Sequence, residues 1–251
     1  SKLVRFFRNK WLLKKFSHTD TFTRNIHTLP PVSPGTKTTV DYSQPGKVVL
    51  TSEYLDGLPT TPNPSRRSLF EQARELEAKS QFKEAIPLFQ KLLEQPASPS
   101  EELELLNLLG NCFFNLSQLE EAQKHYNEAL AKAKRLKNED AEAAALGNLG
   151  VVYMDKGDLD KALEHHQKAL AIHEKIGNPL GQALALGNLG IVYYQKGDLD
   201  RALEHHQKAL AIDEKIGNPL GQANQLGNLG IVYGQKGDLD KALENLQKAL
   251  A

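Results

Sequence analysis

Cysteine is almost missing from this chain: Cys112 stands alone among 251 residues, with one tryptophan and one methionine. A single thiol excludes an internal disulfide framework and a cysteine-built zinc cage, and it suits a reducing compartment. No apolar run approaches the roughly 18 to 20 residues that a membrane-spanning helix needs. Also missing are GxSxG, a Walker-type phosphate loop, HExxH and CxxC. The common signatures of nucleophilic, nucleotide and metal chemistry are therefore not in the sequence, and no catalytic residue, metal ligand or cofactor is expected. An excess of one charge sign is lacking overall, with 31 basic and 31 acidic side chains. The balance hides an asymmetry, because residues 1–68 hold eleven Lys/Arg against four Asp/Glu, and the remainder holds 20 against 27. A basic arm precedes an acidic body. Two readings of the arm stay open: it rests on its own body, or it seeks an anionic surface.

What the sequence does have is repetition. LGNLGVVYMDKGDLDKALEHHQKALAIHEKIGNPLGQ, from Leu146 to Gln182, returns forty residues later from Leu186 to Gln222 with five differences, and a third copy runs from Leu226 to the end. Two weaker copies start at Leu105 and Leu69. A period of this length marks a stacked array. Each copy reads as two helices. Leu146, Leu149, Gly150 and Tyr153 share one face of the first. Gly157 suits the left-handed position that ends it, and Asp158 the cap of the second, whose inward stripe is Leu159, Ala162, Leu163, His166, Ala169 and Leu170. Gly177-Asn178-Pro179 supplies a stop, a cap and a first-turn proline for the next helix. The small side chains of Gly150, Ala162 and Ala169 permit close helix approach. No hairpin can bury its stripe alone, so neighbours must stack.

The spacing of Leu146, Leu149, Gly150, Tyr153, Ala162 and Ala169, matched from Gly190 to Ala209 and from Gly230 to Ala249, resembles the tetratricopeptide repeat. The forty-residue period and the strings GNLG and GDLDKALEHHQKALAI resemble its long-helix subclass, which includes kinesin light chain and the Leu-Gly-Asn-repeat adaptors and is abundant in bacterial and archaeal sensor proteins. The resemblance covers residues 69–251 and departs from the pattern in the first repeat, where Gln72, Ala73 and Leu92 replace Leu, Gly and Ala. The fold class it implies is all-α: a right-handed α-α superhelix preceded by a largely irregular N-terminal arm. The expected segments are 1–27, basic and amphipathic; 28–68, a Pro/Thr/Ser-rich linker; and 69–251, the solenoid, with repeats 69–102, 103–142, 143–182, 183–222 and an incomplete 223–251.

In such solenoids the first helix of each repeat lines the concave side. Subtracting the packing stripe leaves a candidate partner groove. Asn148, Asn188 and Asn228 stand in register, and each amide both donates and accepts, as a grip on an extended backbone requires. The resemblance implies the same role. Val151, Ile191 and Ile231 are expected to form an exposed apolar floor beside them. The copies differ at Met154, Tyr194 and Gly234, and at Ala144, Leu184 and Asn224, where specificity would reside; Gln195 lies at the rim. The expected function is a scaffold binding a peptide or helical segment of a partner protein. The alternative is the sensor arm of a larger signalling enzyme or transcription regulator. A lysine-and-arginine carboxylate clamp of the cochaperone kind is not expected, since the inner positions are Ala, Leu, Gly and Asn.

His165-His166 and His205-His206 lack the i, i+4 spacing of a two-histidine metal site, and His166 aligns with Tyr126 and Leu246, so it reads as packing. His173 becomes Asp213 in the next copy, which reads as a solvated position. Cys112 aligns with Val152, Val192 and Val232 and reads as a buried thiol. Residues 1–16, SKLVRFFRNKWLLKKF, suit contact with a membrane surface or a partner, and residues 1–27 alternatively an organellar presequence. Otherwise a cytoplasmic location is expected, and no nucleic-acid partner. KVVLTSEYL reads as a short strand or a segment packed on the first repeat. The chain stops at Ala251 inside a helical pattern, leaving Leu246 and Leu250 without a following repeat; self-association through that bare end is the corresponding expectation.

Overall fold

The structure is a computed structural model and describes residues 64–250. Among the described residues there are ten helices and no strand: α1 (Pro64–Ala78), α2 (Phe82–Leu93), α3 (Pro99–Asn115), α4 (Leu119–Leu136), α5 (Glu139–Asp155), α6 (Leu159–Lys175), α7 (Pro179–Gln195), α8 (Leu199–Ile216), α9 (Pro219–Gln235) and α10 (Leu239–Lys248). They fall into two compact units, α1–α5 and α6–α10. The expectations placed on residues 1–16 and 1–27 and on KVVLTSEYL lie outside the described residues. The first helix begins at Pro64, inside the stretch read as linker; proline at a first turn costs no hydrogen bond.

Helix ends follow the punctuation of the sequence. Gly157, Gly177, Gly197, Gly217 and Gly237 all have positive φ, between 66° and 83°. At Gly217 the amide reaches Glu214 O, and the amide of Asn218 reaches Asp213 O at 2.9 Å, closing the last turn of α8. The side chains of Asn138, Asn178 and Asn218 accept from the amides of Ala141, Gly181 and Gly221. Asp198 and Asp238 cap α8 and α10 in the same way, accepting from Arg201 and Lys241. Where the weaker copies lack glycine, Ser80, Ser117 and Lys137 take the left-handed conformation instead.

Within each unit, hairpins close through missing side chains. A Cβ on Gly190 would lie 2.7 Å from the His206 ring, and one on Gly230 would lie 2.6 Å from Leu246 Cγ. Gly110 meets the ring of Tyr126 in the same way. Small residues of the second helices, Ala122 and Ala129 in one unit and Ala202 and Ala209 in the other, are fully sealed. The core of the first unit gathers Leu103, Leu106, Ala129, Ala133, Ala141 and Ala145. That of the second gathers Leu189, Tyr193, Ala202 and Val232, with Leu163, Leu170, Leu199 and Leu203 against it.

Candidate functional site

The first helices of successive hairpins pack directly on each other, α3 on α5 and α7 on α9, whereas successive second helices make no comparable contact. Within each unit the candidate groove residues therefore lie on helices that touch one another. In the second unit Asn188 and Asn228 occupy equal registers on α7 and α9, Asn188 nearly buried and Asn228 half-buried. Ile191, Ile231, Leu184, Tyr194 and Asn224 are all half-buried, and Gln195 is exposed. The Nδ2 of Asn224 is sealed from solvent with no hydrogen-bond partner. A polar bridge lies beneath: His206 Nδ1 donates to Gln225 Oε1 at 2.9 Å, and the Gln225 amide covers the open face of Gly187.

The first unit differs from expectation. Val151 on α5 is 4% exposed and Met154 8%, so neither is an exposed floor. Asn148 keeps 9%. The α3 register explains part of the change in character, since Asn111 stands where the later copies carry Val151, Ile191 and Ile231. Its Oδ1 accepts from Tyr126 OH at 2.7 Å. Asn107, one turn earlier, stands where the others have glycine, and Glu104 where they have Ala144, Leu184 and Asn224. Sequence reasoning missed these three; the signal was polar side chains at positions that the strong copies, Asn224 aside, keep small or apolar.

Three further readings change. Asp213 is not solvated: it is 1% exposed and accepts from Asn218 Nδ2 at 2.7 Å. Burial pushes its carboxyl up from 3.8 to about 6, against the opposing hydrogen bond from Asn218. Its counterpart His173 is half-buried against Gly181. Leu246 is not bare, being 1% exposed and packed on Gly230; Leu250 is exposed. His166 and Cys112 are buried, as their alignments indicate. Burial raises the Cys112 thiol far above its ordinary range, the Glu77 carboxylate adding to the shift. Among the described residues no group of His, Cys, Asp or Glu is placed to hold a metal, and no helix is long and apolar enough to cross a membrane.

Paired helices closing through glycine, each pair packed on the next within its unit, define a helical-hairpin repeat scaffold. The tetratricopeptide repeat family matches residues 101–175, 141–215 and 181–251, more than half of the chain, and the chain belongs to that family. Among solved structures it is similar to the nearly identical repeats of a putative kinesin light chain from Podosopora anserina, at 22% identity and a TM-score of 0.59 over 75% of this chain and 95% of that one. A signal transduction ATPase with a tetratricopeptide repeat sensor from Pyrococcus horikoshii is similar at 22% identity and 0.65, over 79% of this chain and 30% of that one. A Rap protein complexed with competence and sporulation factor is similar at 19% and 0.68, over 79% and 56%. These likenesses are of fold. No curated protein matches the chain.

Proposed function

We propose that the first helices bind extended segments of a partner protein, in the second unit with Asn188 and Asn228 engaging the backbone and Ile191, Ile231, Leu184 and Tyr194 receiving apolar side chains, and in the first unit with Asn148 engaging the backbone. The observation that carries this is the second unit's combination of two amides in equal register on packed helices with half-buried isoleucines beside them. The sealed, unpaired Nδ2 of Asn224 adds a donor that a backbone carbonyl of the ligand would satisfy. Val151 and Met154 are closed off, so apolar anchoring belongs to α7 and α9. A Rap protein similar in fold is complexed with competence and sporulation factor, which is consistent with partner binding by such a repeat array.

The test uses labelled nine-residue peptides with leucines at alternate positions and fluorescence anisotropy. Replacing Asn148, Asn188 and Asn228 together by alanine is expected to weaken binding about tenfold or more, from several hydrogen bonds at about 1 kcal/mol each. Helical circular dichroism should stay unchanged. Equal affinity of the triple variant and the parent would overturn the groove assignment. The alternative, a sensor arm of a larger regulator, draws on the likeness to the Pyrococcus horikoshii ATPase, of which the chain spans 30%.

A further inference from the structure

Resting on the reading that first helices hold extended segments, we propose that the face shared by α7 and α9 in the second unit takes an uncharged carboxamide side chain, glutamine or asparagine, set between apolar residues of its segment. Charge is missing from both helices. None of the 17 residues of α7, nor of the 17 of α9, is Asp, Glu, Lys, Arg or His. In the first unit, by contrast, α3 and α5 both carry acids in their first turns. What stands among Leu184, Ile191 and Ile231 is carboxamide: Asn188 on α7, and Asn224, Gln225 and Asn228 on α9. Packing of α9 on α7 brings these amides together. Gln225, 5% exposed, gives its Oε1 to His206. Its Nε2 is thereby turned across to α7, 2.7 Å from where a Cβ on Gly187 would sit, and Asn188 is the next residue.

The decisive observation is Asn224. Its Nδ2 is sealed with no hydrogen-bond partner, although the residue as a whole is only half-buried. Turning that nitrogen outward breaks no hydrogen bond, and an acceptor met there satisfies it. Asn224 shares its register with Leu184 on α7, which receives a side chain in the reading above, so its acceptor belongs to a side chain of the ligand as well. The lack of charge decides which one. A carboxylate taken out of water here finds no cation, and an ammonium finds no anion. A carboxamide accepts from Asn224 and donates to the oxygen of Asn188 or Asn228; a carboxylate has nothing to donate and an ammonium nothing to accept with. Leu184, Ile191, Tyr194 and Ile231, all half-buried, take the flanking aliphatic side chains.

The experiment uses the whole chain and four labelled peptides of one alanine-leucine framework, with glutamine, methionine, glutamate or lysine at the centre. Methionine keeps the length of glutamine without its amide, and glutamate keeps its shape with a charge. Anisotropy is read at high salt, which screens the exposed acids of the first unit. The glutamine peptide is expected to bind about tenfold tighter than the other three. Asn224→Leu, which copies the α7 residue, should bring the glutamine affinity down to that of methionine, with helical circular dichroism intact. Asn224→Asp should move the preference to lysine. Glutamine and methionine peptides binding alike would assign the Asn224 donor to the ligand backbone and overturn this inference alone. A glutamate or lysine peptide matching glutamine, or a glutamine preference that survives in Asn224→Leu, would do the same. Binding of none of the peptides would instead overturn the groove reading and this inference together.

Discussion

His206 donates from Nδ1 to Gln225 Oε1 across 2.9 Å, and both side chains lie sealed within the unit of α6–α10. Burial drives the imidazole down from 6.5 to about 4, the hydrogen bond to Gln225 opposing part of the shift. The unfolded chain takes up a proton below pH 6.5 that the folded chain refuses until about 4. The contribution of His206 is complete above that window and is lost as pH falls through it; a shift of this size corresponds to about 3 kcal/mol. Asp213, in the same unit, acts in the opposite sense. Its carboxyl is raised from 3.8 to about 6, so its contribution is present below 3.8 and is lost as pH rises toward 6. The two slopes oppose each other where the windows overlap. Urea midpoints measured between about pH 4 and 7 should separate them. His206→Leu with Gln225→Ala should gain relative stability on the acid side, and Asp213→Asn should gain it on the neutral side. Parallel curves for both variants and the parent would contradict the burial argument.

Glycine should be replaceable on one part of a first helix and not on another. A Cβ at Gly190 would press to 2.7 Å from the His206 ring, while one at Gly147 would meet nothing within 4 Å. Gly190→Ala is expected to cost about 1 to 3 kcal/mol through overpacking of a close helix pair. Gly147→Ala is expected to gain about 0.5 to 1 kcal/mol, because alanine loses less backbone freedom on helix formation. Thermal or chemical unfolding of the two variants against the parent decides the point.

The hairpins were legible because their punctuation is local. Gly177-Asn178-Pro179 names a stop, a cap and a start within three residues, and the positive φ of Gly177 and the hydrogen bond from Gly181 N to Asn178 follow from it. Close helix approach at Gly190 was legible from its register with Gly150; that the His206 ring fills the space was not. What escaped depends on side chains arriving from another helix. Asp213 looked solvated because it replaces His173, yet Asn218, the cap of the following helix, donates to it and closes it in. Val151 sits in the same register as Ile191 but is more deeply buried, which the forty-residue spacing does not report. Asn107 and Asn111 are not marked by the forty-residue register, because the strong copies place glycine and Val or Ile there.

Asn218 should matter more than its equivalents. Asn138, Asn178 and Asn218 each accept from an amide of a first turn, and loss of such a cap costs about 1 kcal/mol. Asn218 also donates to the buried Asp213 carboxyl at 2.7 Å. Asn218→Ala removes the cap and leaves that acid without its side-chain donor, so a loss of about 2 to 4 kcal/mol is expected, against about 1 for Asn138→Ala. Asn218→Ala in an Asp213→Ala background should fall back toward the cap value. A double-mutant cycle on unfolding free energies measures the difference, and additivity would show that the two side chains are not coupled.

Cys112 offers a readout of the first unit that needs no substitution. Its side chain is fully buried on α3, and burial raises the thiol so far that thiolate is scarce in the folded state. Attack on a maleimide or an aromatic disulfide requires both exposure and thiolate, so the folded chain should react far more slowly than an exposed cysteine peptide. Labelling should then follow opening of the unit and rise with urea in step with its unfolding. Arg74, ion-paired with Glu77 on α1, also acts on Cys112, its charge lowering the thiol while Glu77 raises it. Arg74→Met should therefore slow labelling of any thiol that opens locally, and leave labelling through global unfolding governed by stability alone. Rapid labelling of the native chain, with helical content intact, would show that α3 is open to solvent at Cys112 and that the packing described for this unit does not hold.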